Sequence, residues 1–169
     1  REAWERIYNY PDYGVYVLYQ DFKNPILGYN LAIGMQYNFY FWKRRLQFKV
    51  AQGIGMNSNP HDNETNYRNS AFSTRFMENT NFALNFRQSI GSHFAVQAGF
   101  MFTHFSNGRI KSPNSGVNTY NVNVGVNYNF EPARAYVRDS VPPQKVTEPV
   151  KVNLVLRSGV NESLIANSG

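Results

Sequence analysis

Cysteine is absent from the 169 residues, which excludes a disulfide framework, a thiolate metal site and a thiol nucleophile. Long apolar runs are missing as well, and none approaches the roughly 18 residues of a membrane-crossing helix. Charge is scarce: Asp, Glu, Lys and Arg make up 17% of the chain, and mean hydropathy is −0.50. That average does not exclude a membrane protein, because a β-barrel carries its apolar residues at every second position. The net charge of +6 raises nucleic acid as a partner. The basic residues are scattered, however, and their one cluster, Lys43-Arg44-Arg45, falls in a turn. Solvated turn charge accounts for it, and no nucleic-acid partner is expected.

What the chain has in quantity is aromatics, 27 of them, and Asn, 22 in all. Both are mediocre helix formers, and together they suit strands with one greasy and one wet face. From residue 28 to 41, Tyr29, Leu31, Ile33, Met35, Tyr37, Phe39 and Phe41 share one face. Gly28, Asn30, Ala32, Gly34, Gln36 and Asn38 share the other, with Tyr40 out of step. Residues 46–57 repeat the pattern: Leu46, Phe48, Val50, Ile54 and Met56 stand against Gln47, Lys49, Ala51, Gly53 and Gly55. The alternation returns at 81–87, 94–102 and 119–130, and a less two-sided strand is expected at 13–20. Strands of this length match the roughly 9–11 residues that cross a bilayer at a tilt. The connections alternate too, short at 42–45 and 89–92, longer and polar at 21–27, 58–72 and 107–117. This is the pattern of an up-and-down antiparallel outer-membrane β-barrel, all-β, with six to seven strands in this chain. A soluble β-sandwich, or a β-barrel carrier of an apolar ligand, also alternates and is the competing architecture.

Residues 1–130 therefore form the barrel strands. Residues 131–150 hold four of the eight prolines and no alternation, and read as a linker. Residues 151–169 begin a further strand, with Val152, Leu154 and Leu156 in alternation. With no initiator Met, no signal-like segment and a strand under way at its end, the chain reads as a piece of a longer barrel.

Three histidines are available for chemistry. His61, in the Asn-rich stretch 57–69, and His93, beside a tight turn, read as loop residues. His104 continues the outward parity of Phe94, Val96, Ala98, Phe100 and Phe102, and Ser106 follows on the same face. Side chains at i and i+2 of a strand share a face, so a hydroxyl and an imidazole can meet there. A serine nucleophile needs such a base, and the base needs a third group to fix its tautomer. The plainer reading is that the apolar band ends here and these residues mark the headgroup level. Ligand spacing implies no metal, and no glycine-rich phosphate loop or other cofactor signature is present.

The wider stretch, His104-Phe105-Ser106-Asn107 followed by Lys111-Ser112-Pro113-Asn114-Ser115-Gly116-Val117-Asn118-Thr119-Tyr120, resembles the active-site region of the PagL-type lipid A 3-O-deacylases, which are outer-membrane barrels. The segments Tyr10-Pro11-Asp12-Tyr13-Gly14 and Asn63-Glu64-Thr65-Asn66-Tyr67-Arg68-Asn69 look like its Bacteroidetes branch, the acyloxyacyl hydrolases. The resemblance covers roughly residues 8–130. It implies a serine esterase acting on lipid A of lipopolysaccharide in the bacterial outer membrane, without a cofactor. By the same resemblance Ser106 is the nucleophile and His104 the general base, with Asn114 and Asn107 at the oxyanion. The family's acid falls on Asn118, whose amide can hold the imidazole tautomer but carries no charge. Arg109 and Lys111, just beyond the strand, are candidates for contact with lipid A phosphates. Asn118 leaves a second reading open, a barrel of this family that has lost catalysis.

Overall fold

A computed structural model describes residues 10–130. The expected linker at 131–150 and the strand at 151–169 lie outside the described residues. Six strands follow one another: β1 Asp12–Asp21, β2 Tyr29–Phe41, β3 Leu46–Asn57, β4 Phe76–Ile90, β5 Phe94–Ser106 and β6 Val117–Tyr128. They form one antiparallel sheet in the order β1-β2-β3-β4-β5-β6, with no helix among the described residues. Among the described residues no helix is long and apolar enough to cross a membrane. Side chains reach across the curl of the sheet, from the Tyr16 hydroxyl on β1 to Asn79 Oδ1 on β4 at 2.9 Å and from Gln20 Nε2 to Thr119 Oγ1 at 3.1 Å. The sheet is thus a curled half-barrel, with β1 and β6 as its edges.

The two faces divide as the alternation requires. Val122 and Val124 are 75% and 82% exposed on the outside, in company with Tyr29, Leu31, Ile33, Phe82, Leu84 and Phe100. Phe48 and Val50 share that outer parity and are half-buried among their neighbours. The inner face holds Asn30, Asn38, Asn57, Asn79, Asn81 and Asn85, all buried. A buried amide is costly unless it is hydrogen-bonded, and here the amides are linked side chain to side chain: Asn57 Nδ2 donates to Asn30 Oδ1 at 2.7 Å, Gln47 Nε2 to Asn38 Oδ1 at 3.1 Å, and Asn85 Nδ2 to Gln47 Oε1 at 3.0 Å. An inner face lined this way is polar, whereas a soluble carrier of an apolar ligand has its apolar face inside. Outward apolar strands with a wet interior are the membrane-barrel arrangement.

β2 and β3 approach closely at a paired glycine position. Gly34 faces Gly53 in the β2–β3 register, and a Cβ on either would stand 2.2 Å from backbone oxygen of the facing strand. The Tyr16 hydroxyl lies over this bare patch and fills the room it leaves.

One end of the sheet has short turns, at 42–45 and 91–93, and the other has the longer connections 22–28, 58–75 and 107–116. In 58–75, Asn66 and Asn69 hydrogen-bond carbonyls of Ile26 and Asn59. A tight turn is held by Asp62, whose carboxylate accepts from the backbone N–H of Thr65 and so stays below its ordinary pKa. The loop returns Ala71 and Phe72 into the curl, where they meet Ala32, Met77 and Phe105, with Tyr16, Leu18, Phe22, Leu27 and Val117 against them. This apolar plug under the long-loop end is where β1 departs from clean alternation: Tyr16 and Leu18 are apolar and face inward because the plug needs them. β4 departs in length. Alternation predicts it from Asn81, yet it starts at Phe76.

If the outer band faces lipid, a charge placed in it is costly in proportion to depth. Val122→Arg is expected to lower stability by about 2–4 kcal/mol in lipid vesicles. Urea titration of the vesicle-refolded protein, followed by tryptophan fluorescence, measures it.

Candidate active site

The last four residues of β5 alternate strictly. Thr103 and Phe105 are fully buried on the inner side, and His104 and Ser106 stand outside between and beyond them. Phe105 packs into the plug, and Gly55 gives it space: a Cβ there would come within 2.8 Å of its ring. From within, Asn79 Nδ2 donates to the backbone carbonyl of His104 at 3.1 Å. The backbone beneath the two outward side chains is therefore held by packing on one side and a hydrogen bond on the other.

In the β5–β6 register His104 faces Asn118. Their side chains meet, His104 Nδ1 to Asn118 Oδ1, at 2.6 Å. An amide oxygen only accepts, so Nδ1 is the donor in this pair. Ser106 Oγ is held by the loop that follows: the Gly108 N–H donates to it at 3.1 Å, and the Asn114 amide lies 3.0 Å away. The Asn114 amide fits its surroundings best when turned so that Oδ1 accepts from Ser106 Oγ and Nδ2 donates to the Ala71 carbonyl at 3.0 Å.

Asn107 points the other way. Its side chain is buried, with Nδ2 on Ser73 Oγ at 2.8 Å and on the Lys111 carbonyl at 3.1 Å, and Oδ1 accepting from the Arg109 N–H at 2.9 Å. It fastens the loop 107–116 to the loop 58–75. Two further bonds do the same, Ser115 N–H to the Ser70 carbonyl and Gly116 N–H to that of Ala71. Gly116 then crosses over the pair. At φ +66 it occupies the left-handed region, and a Cβ would stand 2.9 Å from the Phe105 carbonyl and 3.5 Å from both His104 Cε1 and Ser106 Cβ. Arg109 and Lys111 are exposed in this loop. Among the described residues only their backbones bond to the site's surroundings.

The structure thus brings His104, Ser106, Asn118 and Asn114 together, with Asn107 behind them and Arg109 and Lys111 at the rim. Two groups beside these residues were not read from the sequence. One is the Gly108 N–H, a backbone donor without a side-chain signature. The other is Glu78, exposed on the outer face and paired with Ser106 in the β4–β5 register. Below the polar level runs a row of rings: Phe48 to Phe82 at 6.5 Å, Phe82 to Phe102 at 6.3 Å and Phe102 to Tyr120 at 5.3 Å between centroids. His61 and His93 stay out of the site, bonded to Asn63 and to the Asn129 carbonyl. No group of His, Asp and Glu among the described residues is arranged to hold a metal ion.

The family model for lipid A 3-O-deacylase, PagL, matches residues 2–127. The chain belongs to that family. PagL proteins are outer-membrane hydrolases of lipid A, and the outward apolar band and wet interior described above suit that setting. No curated protein and no solved structure matches the chain.

Phe105 holds the site from beneath, so its removal is the direct test of the support. Phe105→Ala is expected to cost about 3–5 kcal/mol of stability. The shift of the urea midpoint in detergent micelles reads that loss.

Proposed function

We propose that this protein is an outer-membrane serine esterase that removes an ester-linked acyl chain from lipid A. The observation that carries the reading is the His104–Asn118 bond of 2.6 Å beside an outward Ser106. With its proton fixed on Nδ1, the imidazole has a free Nε2 to act as base toward a hydroxyl on the same face.

In the proposed reaction an acyl chain of lipid A lies against the ring row Phe82, Phe102 and Tyr120, with its ester carbonyl at the level of Ser106. Rotation about the Ser106 Cα–Cβ bond brings Oγ to His104. Nε2 takes the hydroxyl proton while Oγ attacks the carbonyl carbon, and the carbonyl oxygen becomes an oxyanion. The Gly108 N–H donates to that oxyanion, joined by Asn114 once its amide presents Nδ2. Collapse breaks the bond to the sugar oxygen, which leaves with the proton from His104 and remains as the alcohol. Water then gives a proton to His104 and attacks the acyl-serine. The fatty acid departs and Ser106 recovers its hydrogen. Asn107 serves by holding the loop that carries the donors. Arg109 and Lys111 pair with the lipid A phosphates at the rim, as their exposure permits.

A neutral Asn118 also favours one other reading, a barrel of the same family without catalysis. Acyl release from purified lipopolysaccharide decides between the two. Ser106→Ala is expected to abolish it, and a wild-type rate no higher than that of Ser106→Ala would establish the inactive barrel. Asn118→Leu removes the acceptor on Nδ1 and is expected to lower turnover about 10–100-fold, in line with the loss of an orienting group. Asn118→Glu is expected to keep or raise it. A Leu variant as fast as wild type would show that Asn118 does not orient the base.

A further inference from the structure

We propose that Glu78 supplies the negative charge that Asn118 lacks, acting through His104 as a positioning residue for the reaction proposed above, on which this inference rests. A catalytic imidazole becomes a cation when it accepts the nucleophile's proton, and the third group of such a site stabilises that cation. The amide of Asn118 orients the ring and offers only a dipole. The charge has to come from elsewhere, and the outer face holds one carboxylate beside this site.

Glu78 is the direct partner of Ser106 across β4 and β5, and Thr80, two residues along, is the partner of His104. Diagonal neighbours of this kind stand about 7–8 Å apart at Cα, within reach of a long side chain. The carboxylate leans toward the His104 level, because both groups that bind it stand there. Thr80 Oγ1 donates to Glu78 Oε1 at 2.5 Å, and Gln52 Nε2, whose residue faces Thr80 across β3 and β4, donates at 3.3 Å. These two donors fix the carboxylate without neutralising it. Among the described residues no Lys or Arg forms an ion pair with Glu78.

An unneutralised carboxylate on a lipid-side surface is costly. The other titratable groups near His104 are Tyr120, two positions down β6, Arg75 just before β4, and Arg109 and Lys111 in the loop 107–116; Arg87 and Tyr128 lie toward the far ends of β4 and β6. Tyr120 adds no positive charge, the three nearby cations lie outside the strands, and none of them is ion-paired with Glu78. The cation placed to meet Glu78 is His104 itself, during the step in which it holds the Ser106 proton. Two neutral donors thus keep a charge in waiting on one side of the imidazole, while Asn118 fixes its tautomer from the other.

The test uses the full chain refolded in detergent micelles with lipopolysaccharide as substrate. Glu78→Gln preserves shape and hydrogen-bonding length, so folding, read by heat-modifiable gel mobility, is expected to match wild type. Its kcat is expected to fall about tenfold, the size of a screened charge interaction at this separation, with KM within about twofold. Glu78→Asp keeps the charge and is expected to recover most of the rate. With Asn118→Glu a carboxylate is bonded directly to Nδ1, and adding Glu78→Gln there is expected to cost less than about threefold, since the two charges serve one function. An unchanged kcat in Glu78→Gln overturns the proposal. So does an equal loss in both backgrounds, or a rise in KM alone, which would mark Glu78 as a substrate contact. Acyl release that survives Ser106→Ala would instead overturn the esterase reading, and this inference with it.

Discussion

Everything on the outer face above the ring row depends on one inward side chain. Phe105 is wholly buried, packed among Phe72, Met77 and Ala71, with Gly55 leaving space for its ring. A strand side chain that cannot leave its side of the sheet fixes its two neighbours on the other side. His104 and Ser106 face outward because Phe105 faces inward, and a register slip of one residue would exchange the three. The plug that receives Phe105 is delivered by the loop 58–75. The same loop binds the backbone of 107–116, so the support of the strand and the placement of the loop donors are one construction.

The polar level is assembled from four strands, and each contributes by register. Gln52 faces Thr80, Thr80 faces His104, and His104 faces Asn118. One row across β3 to β6 therefore holds four polar residues where the rows below hold Val50, Phe82, Phe102 and Tyr120. Amides carry the structure on both sides of the sheet. Inside they chain to one another and make burial of Asn tolerable. Outside, a single amide holds the imidazole tautomer.

Much of this was legible in the sequence because lipid and lumen demand opposite chemistry at successive residues. The faces of β2, β3, β5 and β6 followed from that demand alone. The family resemblance pointed to Asn118, and its outward parity with an antiparallel return is what lets it meet His104. The first part of β4 was not legible, for a physical reason: Glu78 and Thr80 interrupt the outward apolar row, so the alternation is recognisable only from Asn81. Once the strand is known to reach that far, the turn at 91–93, which sets Ile90 opposite Phe94, also sets Glu78 opposite Ser106. The inward Tyr16 and Leu18 blurred β1 because they serve a plug whose buried members, Ala32 apart, lie more than 50 positions away. No local pattern carries that information, and none announces a backbone donor such as Gly108.

The row of His104 and Ser106 lies on the outside of the curl, with rings directly beneath it and amides filling the opposite side of the sheet. Thr103 and Phe105 behind it are wholly buried, so the row is met from its outer side. In an outer membrane, whatever meets it there travels sideways, in the same plane as the protein. For such an encounter, molecules per unit area replace molecules per unit volume. Dilution with inert amphiphile slows it, whereas added water leaves it unchanged.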